Sequence, residues 1–360
     1  MSMELNIQWY PGHMTKARRM IAENTKLVDA VCEIIDARIP ISSRNPDLNE
    51  IIGDKPRLII LNRADQADPR ETKLWTAQLA KEGAVLETDS KSGRGVGGFS
   101  SAVRLLLAEK LARYAAKGQT GRHLRVMVVG IPNVGKSSFI NRIAKRKAAP
   151  ASDKPGVTRG KQWINVDASL ELLDTPGVLW PKFENQTVAE NLAFTGAIKD
   201  QVIDTVTLGA NLILRLYKYY PKSLEERYKI TAEPGDLIVD DLISDNLTFD
   251  YSAASKGFAL LEEAAKNRGF LIRGGEYDLD RMANILLDEF RGGKLGRITL
   301  ERYVPELYTS VLNAPELHTS ERYKAESREA ETREAELYEP PEEPAKERSD
   351  ARETDGSVGV

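Results

Sequence analysis

Gly130-Ile131-Pro132-Asn133-Val134-Gly135-Lys136-Ser137 follows the apolar run Val126–Val129 and opens a stretch of helical character, Ser138–Lys145. A strand, a glycine-framed loop ending in Lys-Ser and a helix form the context that a phosphate-binding loop requires. In such a loop backbone N–H groups converge on an anion at the helix N-terminus, where the helix dipole adds to their pull. Asn133, Val134, Gly135, Lys136, Ser137 and Ser138 are therefore read as nucleotide contacts. Lys136 would neutralise phosphate oxygens, and the Ser137 hydroxyl would ligate Mg²⁺.

Working outward, the apolar runs at Val31–Asp36, Leu58–Leu61, Val85–Thr88 and Leu170–Leu173 read as further buried strands. Pro69–Lys81 and Gly98–Ala116 between them have helical spacing. Alternating strands and helices predict an α/β domain with a mostly parallel sheet. Beyond Pro181 the runs Thr187–Ile198, Thr205–Tyr219, Ala253–Arg268 and Leu279–Phe290 are all helical, and they predict an all-helical part. The expected organisation is an N-terminal segment over 1–24, a nucleotide-binding domain over 25–180, a helical domain over 181–305 and an acidic tail over 306–360. The tail contains the near-repeats Ser327-Arg328-Glu329-Ala330-Glu331 and Thr332-Arg333-Glu334-Ala335-Glu336 and too little apolar surface to offset chain entropy.

Three more elements complete a nucleotide site. Asp174-Thr175-Pro176-Gly177 ends the run Leu170–Leu173 and supplies an acid, Asp174, to hold Mg²⁺ through its water shell. The Gly177 N–H is placed to sense the γ-phosphate. Thr158, in the polar Gly156-Val157-Thr158 segment, is the second hydroxyl ligand expected for Mg²⁺. Asn62-Arg63-Ala64-Asp65 follows the strand Leu58–Leu61, where an Asp carboxylate can accept paired hydrogen bonds from guanine N1–H and its 2-amino group. Adenine cannot supply that pair. GTP and GDP are thus the expected ligands. Ser90-Lys91, after the next strand, gives a looser second base contact. Arg63 stands where Lys is usual. The base-reading residues precede the phosphate loop, so the motifs run in circularly permuted order, and the segment after Gly177 leads directly into the helical part.

Composition narrows the remaining classes. No apolar run is long enough to span a bilayer, and Met1–Gln8 lacks the basic-then-apolar pattern of a signal peptide, so a cytoplasmic protein with no membrane partner is expected. One cysteine, Cys32, excludes an intramolecular disulfide framework, and no His/Cys set has metal-ligand spacing. The net charge of −3 divides into −7 over residues 311–360 and +4 over the rest. Arg142–Lys161 carries seven Lys/Arg against Asp153 alone, and Lys16, Arg18 and Arg19 form a second basic patch. Both suit contact with an RNA backbone rather than reading of DNA bases.

The chain also resembles a known family, that of bacterial ribosome biogenesis GTPase A and its mitochondrial relative, within the circularly permuted GTPases. The resemblance spans about residues 7–305. It is carried by Trp9-Tyr10-Pro11-Gly12-His13-Met14, Asp36-Ala37-Arg38-Ile39-Pro40, Ser43-Arg44-Asn45-Pro46 and Gly293-Lys294-Leu295-Gly296-Arg297. It implies GTP hydrolysis in late assembly of the large ribosomal subunit, stimulated by the precursor particle with its rRNA and ribosomal proteins. It also implies a catalytic role for His13. That role agrees with a plain reading of the residues: Val178, just after Gly177, is apolar and cannot orient water, whereas histidine handles protons near neutral pH. In related GTPases with a Pro-Asn pair in the loop, the Asn oxygen helps bind K⁺, which makes Asn133 a candidate K⁺ ligand. The alternative is a non-catalytic, GTP-latched RNA- or ribosome-binding module.

Overall fold

The protein is described by a computed structural model over residues 13–119, 121–144, 162–180, 183, 185–232 and 251–305. The chain divides after Leu317, and all described residues belong to the first unit. The acidic tail, the segment before His13 and the basic stretch Lys145–Lys161 lie outside the described residues.

A helix α1 (His13–Thr25) leads into the central strand β1 (Ala30–Asp36), every residue of which is buried. There follow α2 (Asp47–Ile52), β2 (Arg57–Asn62), α3 (Pro69–Leu79) and β3 (Ala84–Glu87). Then come α4 (Phe99–Leu106), α5 (Ala108–Ala116), β4 (Leu124–Val129), α6 (Lys136–Ile143), β5 (Gln162–Asp167) and β6 (Leu170–Asp174). The six strands form one sheet in the order β3-β2-β1-β4-β6-β5, parallel throughout except for β5 against β6. The half that carries Asn62–Asp65 and the half that carries Gly130–Ser137 thus share one sheet, although the former comes first in the chain.

Two departures from the sequence expectations have simple causes. The edge strand β5 was not expected. It alternates exposed Trp163, buried Ile164 and exposed Asn165, so it lacks the solid apolar run that marks the buried strands. The expected helix Gly98–Ala116 is two helices, because the backbone leaves helical geometry at Leu107 (φ −103°, ψ 17°). Leu107 itself stays buried at the break, which keeps the apolar spacing continuous through it.

The helices α7 (Gln186–Phe194), α8 (Thr205–Tyr219), α9 (Pro221–Tyr228), α10 (Tyr251–Asn267) and α11 (Leu279–Arg291) follow the sheet. Asn185, Asp204 and Asp278 cap α7, α8 and α11 by accepting N–H groups of their first turns. The short α9 escaped the sequence reading because Lys222, Glu225, Glu226 and Arg227 leave it little apolar signal. After α11 the chain returns to the sheet. Ile298 N–H donates to the Gln66 carbonyl (2.8 Å), Leu300 N–H to the Arg38 carbonyl (2.8 Å) and Trp75 Nε1–H to the Glu301 carbonyl (2.8 Å).

Candidate functional site

The carboxyl ends of β1, β2, β4 and β6 meet at the point where the strand order reverses, between β1 and β4, which is where an open α/β sheet leaves a crevice for ligands. Parallel register places Asp36 beside Asn62 and Asp174 beside Val128. The loops that leave these ends carry most of the residues singled out from sequence.

Asn62 joins three of them. Its Nδ2 donates to the Val134 carbonyl (2.7 Å), and its Oδ1 accepts from Thr88 Oγ1 (3.1 Å), Ser90 N–H (3.1 Å) and Ser90 Oγ (2.7 Å). Asn62 is 2% exposed, so replacing its amide would take from the Val134 carbonyl a donor, and from the Thr88 and Ser90 donors their shared acceptor, in a buried setting. Gly135 makes the contact possible: a Cβ there would stand 2.4 Å from Asn62 Nδ2, and φ of +96° is one that side chains rarely tolerate. Lys91 follows Ser90 in a turn closed by Asp89, whose Oδ1 accepts the N–H groups of Lys91 (2.9 Å) and Ser92 (3.1 Å). The Arg142 guanidinium donates to the Lys91 carbonyl.

In the phosphate loop, Lys136 opens α6, with half-buried Ser137 and Ser138 in the same first turn. Lys136 Nζ donates to the carbonyls of Gly130 (3.0 Å) and Ile131 (2.6 Å). Burial pulls its pKa down to about 8, with Asp174 pulling the other way. Asp174 is buried at the end of β6, and Thr175 Oγ1 donates to the Val128 carbonyl (2.7 Å). A Cβ on Gly177 would lie 2.8 Å from Pro132 N and 2.9 Å from Lys136 Nζ, so only glycine lets this turn touch the phosphate loop. Val178 is 4% exposed; its N–H donates to Gly130 (3.3 Å) and its carbonyl accepts from Asn45 Nδ2 (3.1 Å).

Asp65 is half-buried, and among the described residues its carboxylate takes no hydrogen bond or ion pair. Its loop is held from behind by Arg297, which donates to the carbonyls of Ala64 (3.0 Å) and Ala67 (2.9 Å). Arg63 sits at φ +59° and turns its guanidinium to the Asn133 carbonyl (2.8 Å), the Arg291 carbonyl (3.4 Å) and the Asp36 carboxylate (3.6 Å). Asn133, at φ +60°, donates from Nδ2 to the Gly196 carbonyl (2.5 Å).

Sequence reasoning missed the residues that lock these loops to the helices. Asp36 and Arg38 form a buried bidentate pair (Nη2–Oδ2 2.7 Å, Nε–Oδ1 3.0 Å), and Arg38 Nη1 donates to the Phe290 carbonyl at the end of α11 (3.2 Å). Burial alone would raise the Asp36 carboxyl; the Arg38 charge and its hydrogen bonds, with Arg63 adding, hold it below the ordinary range. Ser43 Oγ accepts the Asp36 N–H (2.9 Å), and Arg44 bridges buried Glu33 (3.2 Å) and Glu82 (2.8 Å). Glu301 accepts from the N–H groups of Ile41 (2.6 Å) and Ser42 (2.9 Å), from the Ser42 hydroxyl and from Asn191 (3.1 Å). The signal for Arg38, Ser43, Arg44 and Asn45 lay in the two motifs that carry the family resemblance, Asp36–Pro40 and Ser43–Pro46; Ile41 and Ser42 fall between them.

Thr158 and the rest of its segment lie outside the described residues, as do Lys16 and the His13 side chain; the His13 backbone opens α1. In the second basic patch Arg18 lies 3.5 Å from Asp47 and 3.6 Å from Glu50, so α2 already neutralises much of its charge.

Among known proteins, a family model described as a 50S ribosome-binding GTPase matches residues 125–232. Ribosome biogenesis GTPase A of Bacillus cereus is 44% identical over 296 residues, covering 82% of this chain and 93% of its own. Mitochondrial ribosome-associated GTPase 1 of Bos taurus is 30% identical over 311 residues, covering 82% and 88%. The crystal structure of GNP-bound YlqF from T. maritima superposes with a TM-score of 0.52 at 26% identity, over 80% of this chain and 98% of that one.

Proposed function

This chain belongs to the ribosome biogenesis GTPase A family, a circularly permuted GTPase that binds guanine nucleotide and hydrolyses GTP, and on that premise we propose that it is a cytoplasmic assembly factor in late maturation of the large ribosomal subunit, hydrolysing GTP in response to the precursor particle. The observation that favours this reading is the bolting of nucleotide loops to helices. Asn133 bonds Gly196 beyond α7, and Arg63 and Arg38 bond the carbonyl end of α11. Arg291 in turn donates to the carbonyls of Ala193 (2.8 Å) and Phe194 (3.0 Å) and pairs with Asp200 (2.7 Å). A shift of the phosphate loop on hydrolysis would strain these bonds and so alter the helical surface offered to a particle.

In this reading Asp65 accepts the guanine edge, with Asn62, Arg63, Ala64, Ser90 and Lys91 shaping the base pocket. Lys136 leaves its loop carbonyls for phosphate oxygens, and the Gly177 N–H meets the γ-phosphate. Buried Asp174, close enough to Lys136 to affect its proton affinity, and the hydroxyl at the start of α6 form a hard oxygen set suited to Mg²⁺. Ser137 and Thr158 would bind the ion directly and Asp174 through water; when bound, it neutralises charge on the phosphates. Asn133 offers an amide oxygen for K⁺ beside them.

Turnover of the purified chain should rise at least about a hundred-fold on addition of isolated large subunits, if the particle completes a proton- or water-handling group, and should not rise with small subunits. Equal rates in all three mixtures would overturn the proposed role while leaving the intrinsic GTPase intact. Asp65→Asn should cost at least about a hundred-fold in GTP affinity, since two hydrogen bonds to a charged acceptor are worth about 1.5–3 kcal/mol each. Competition among GTP, XTP and ATP checks this, and an unchanged preference for GTP would remove Asp65 from the base site.

A further inference from the structure

A third basic surface, apart from the two noted in the sequence, lies at the end of the sheet opposite the nucleotide loops, where β4 begins. Residues 104–125 hold Arg104, Lys110, Arg113, Lys117, Arg122 and Arg125 against the single acid Glu109. Three of these cations are answered from elsewhere in the fold: Arg104 by Asp167 (2.8 Å), Lys110 by Asp29 (2.5 Å) and Arg125 by Glu171 (3.1 Å). Arg113, Lys117 and Arg122 are exposed, and none has an acid partner among the described residues. Aromatic rings are interleaved with the charge. The Arg122 guanidinium lies 4.5 Å from the Tyr114 ring centroid, and that of Arg125 lies 5.0 Å from the ring of Trp163, which is itself 38% exposed.

Between α5 and the start of β4 lies a cleft of about 340 Å³, lined by Arg104, Leu111, Tyr114, Gln119, Arg122 and Ser169, with Lys117 in the chain segment between the lining residues Tyr114 and Gln119. Helix α5 has no fully buried residue; Leu111 is partly buried against the core and forms the apolar floor of the cleft, while Tyr114 stands half-buried at its wall. A volume of this size falls in the range of small-ligand sites and is too small for a helix or a duplex. The chemistry is that of a nucleotide: a guanidinium plane backed by an aromatic ring stacks any base, unpaired cations beside it take phosphate, and Gln119 offers an amide to a base edge. An acidic peptide would use the cations but has no need of the stacked planes.

We propose that this cleft receives one unpaired nucleotide of an RNA strand, its base on the Arg122 guanidinium over Tyr114 and its phosphates towards Lys117 and Arg113. The choice of RNA rests on the ribosomal partner proposed above. Standing at the opposite end of the sheet from the phosphate loop, the contact anchors RNA without touching the GTP site.

The test is photocrosslinking of the full chain to a short unstructured oligoribonucleotide carrying 5-iodouridine, with adducts mapped by mass spectrometry. The expected result is an adduct at Tyr114, reduced about ten-fold in Arg122→Ala, as loss of one stacked base implies. Arg122→Lys, which keeps the charge but not the plane, should lose nearly as much, and both variants should bind GTP as the wild type does. Adducts confined to other segments, or a wild-type yield in Arg122→Lys, would overturn the site. So would competition by free GMP or UMP as effective as by the oligomer, which would make it a site for free nucleotide. A Tyr114 adduct in a protein whose turnover ignores large subunits would keep this site and overturn only the assembly role.

Discussion

Arg38→Met is expected to destabilise the protein by about 3–5 kcal/mol, the cost of stranding a buried charge by removing its partner. Arg38 is 1% exposed, the largest of the fully buried side chains among the described residues, and Asp36 is equally buried. The guanidinium satisfies both carboxylate oxygens and the Phe290 carbonyl, and it lies over the Phe290 ring at 5.1 Å. Methionine fills much of the volume but donates nothing, leaving Asp36 with Arg63 at 3.6 Å as its remaining cation. Removing the acid as well should return part of the loss, so a cycle with Asp36→Ala should show coupling of about 0.5–3 kcal/mol. The pH dependence has a definite sign. Because Asp36 is held below the ordinary carboxylate range, its contribution is fully present above the unfolded value of about 3.9 and is lost as pH falls through the lowered folded value. The gap in urea stability between wild type and Arg38→Met should therefore narrow as the solution is acidified from neutrality. A loss under 1 kcal/mol at pH 7, or a gap that widens in acid, would show that the pair is not what joins β1 to α11.

The elements that carry backbone-determined chemistry were legible before any coordinates. A Lys-Ser after two spaced glycines has few uses other than a phosphate loop, and solid apolar runs located β1, β2, β4 and β6 to within a residue or two. The edge strand β5 was not legible, since Trp163 and Asn165 face solvent and only Ile164 is fully buried among its described side chains. Less legible still was the clamp around the site. Glu301 reaches Ser42 across 259 positions, and Arg38 reaches Phe290 across 252. No local periodicity can announce a bond between residues so far apart in the chain. The same holds for Arg63: the sequence shows it only as an Arg where Lys is usual, and its positive φ and its bonds to Asn133 and Arg291, which tie phosphate loop to helix, appear only in the fold. Burial converts such residues from apparent surface charge into joints, and burial is a property of the fold rather than of the string.

His13→Ala should bind GTP as the wild type does and lose on the order of 10²–10⁴-fold of its subunit-stimulated turnover, the usual worth of a positioned acid–base or water-handling group. The need for such a group follows from Val178. Its N–H and carbonyl are fixed to Gly130 and Asn45, it is 4% exposed, and an isopropyl group cannot polarise water. His13 opens α1, and one turn further on Ala17 and then Ile21 are buried in the core while Arg18 pairs with α2. The helix is thus anchored along its body, and its first turn is the part from which a particle-bound RNA could direct a side chain to the nucleotide. A neutral imidazole acting on water predicts a stimulated rate that falls as pH drops through the histidine range, near 6.5, and a variant without that limb. A merely structural histidine would move the melting temperature or GTP affinity instead and leave the shape of the pH profile unchanged. If His13→Ala keeps near-wild-type stimulated turnover, the water-handling group must be supplied by the ribosomal particle.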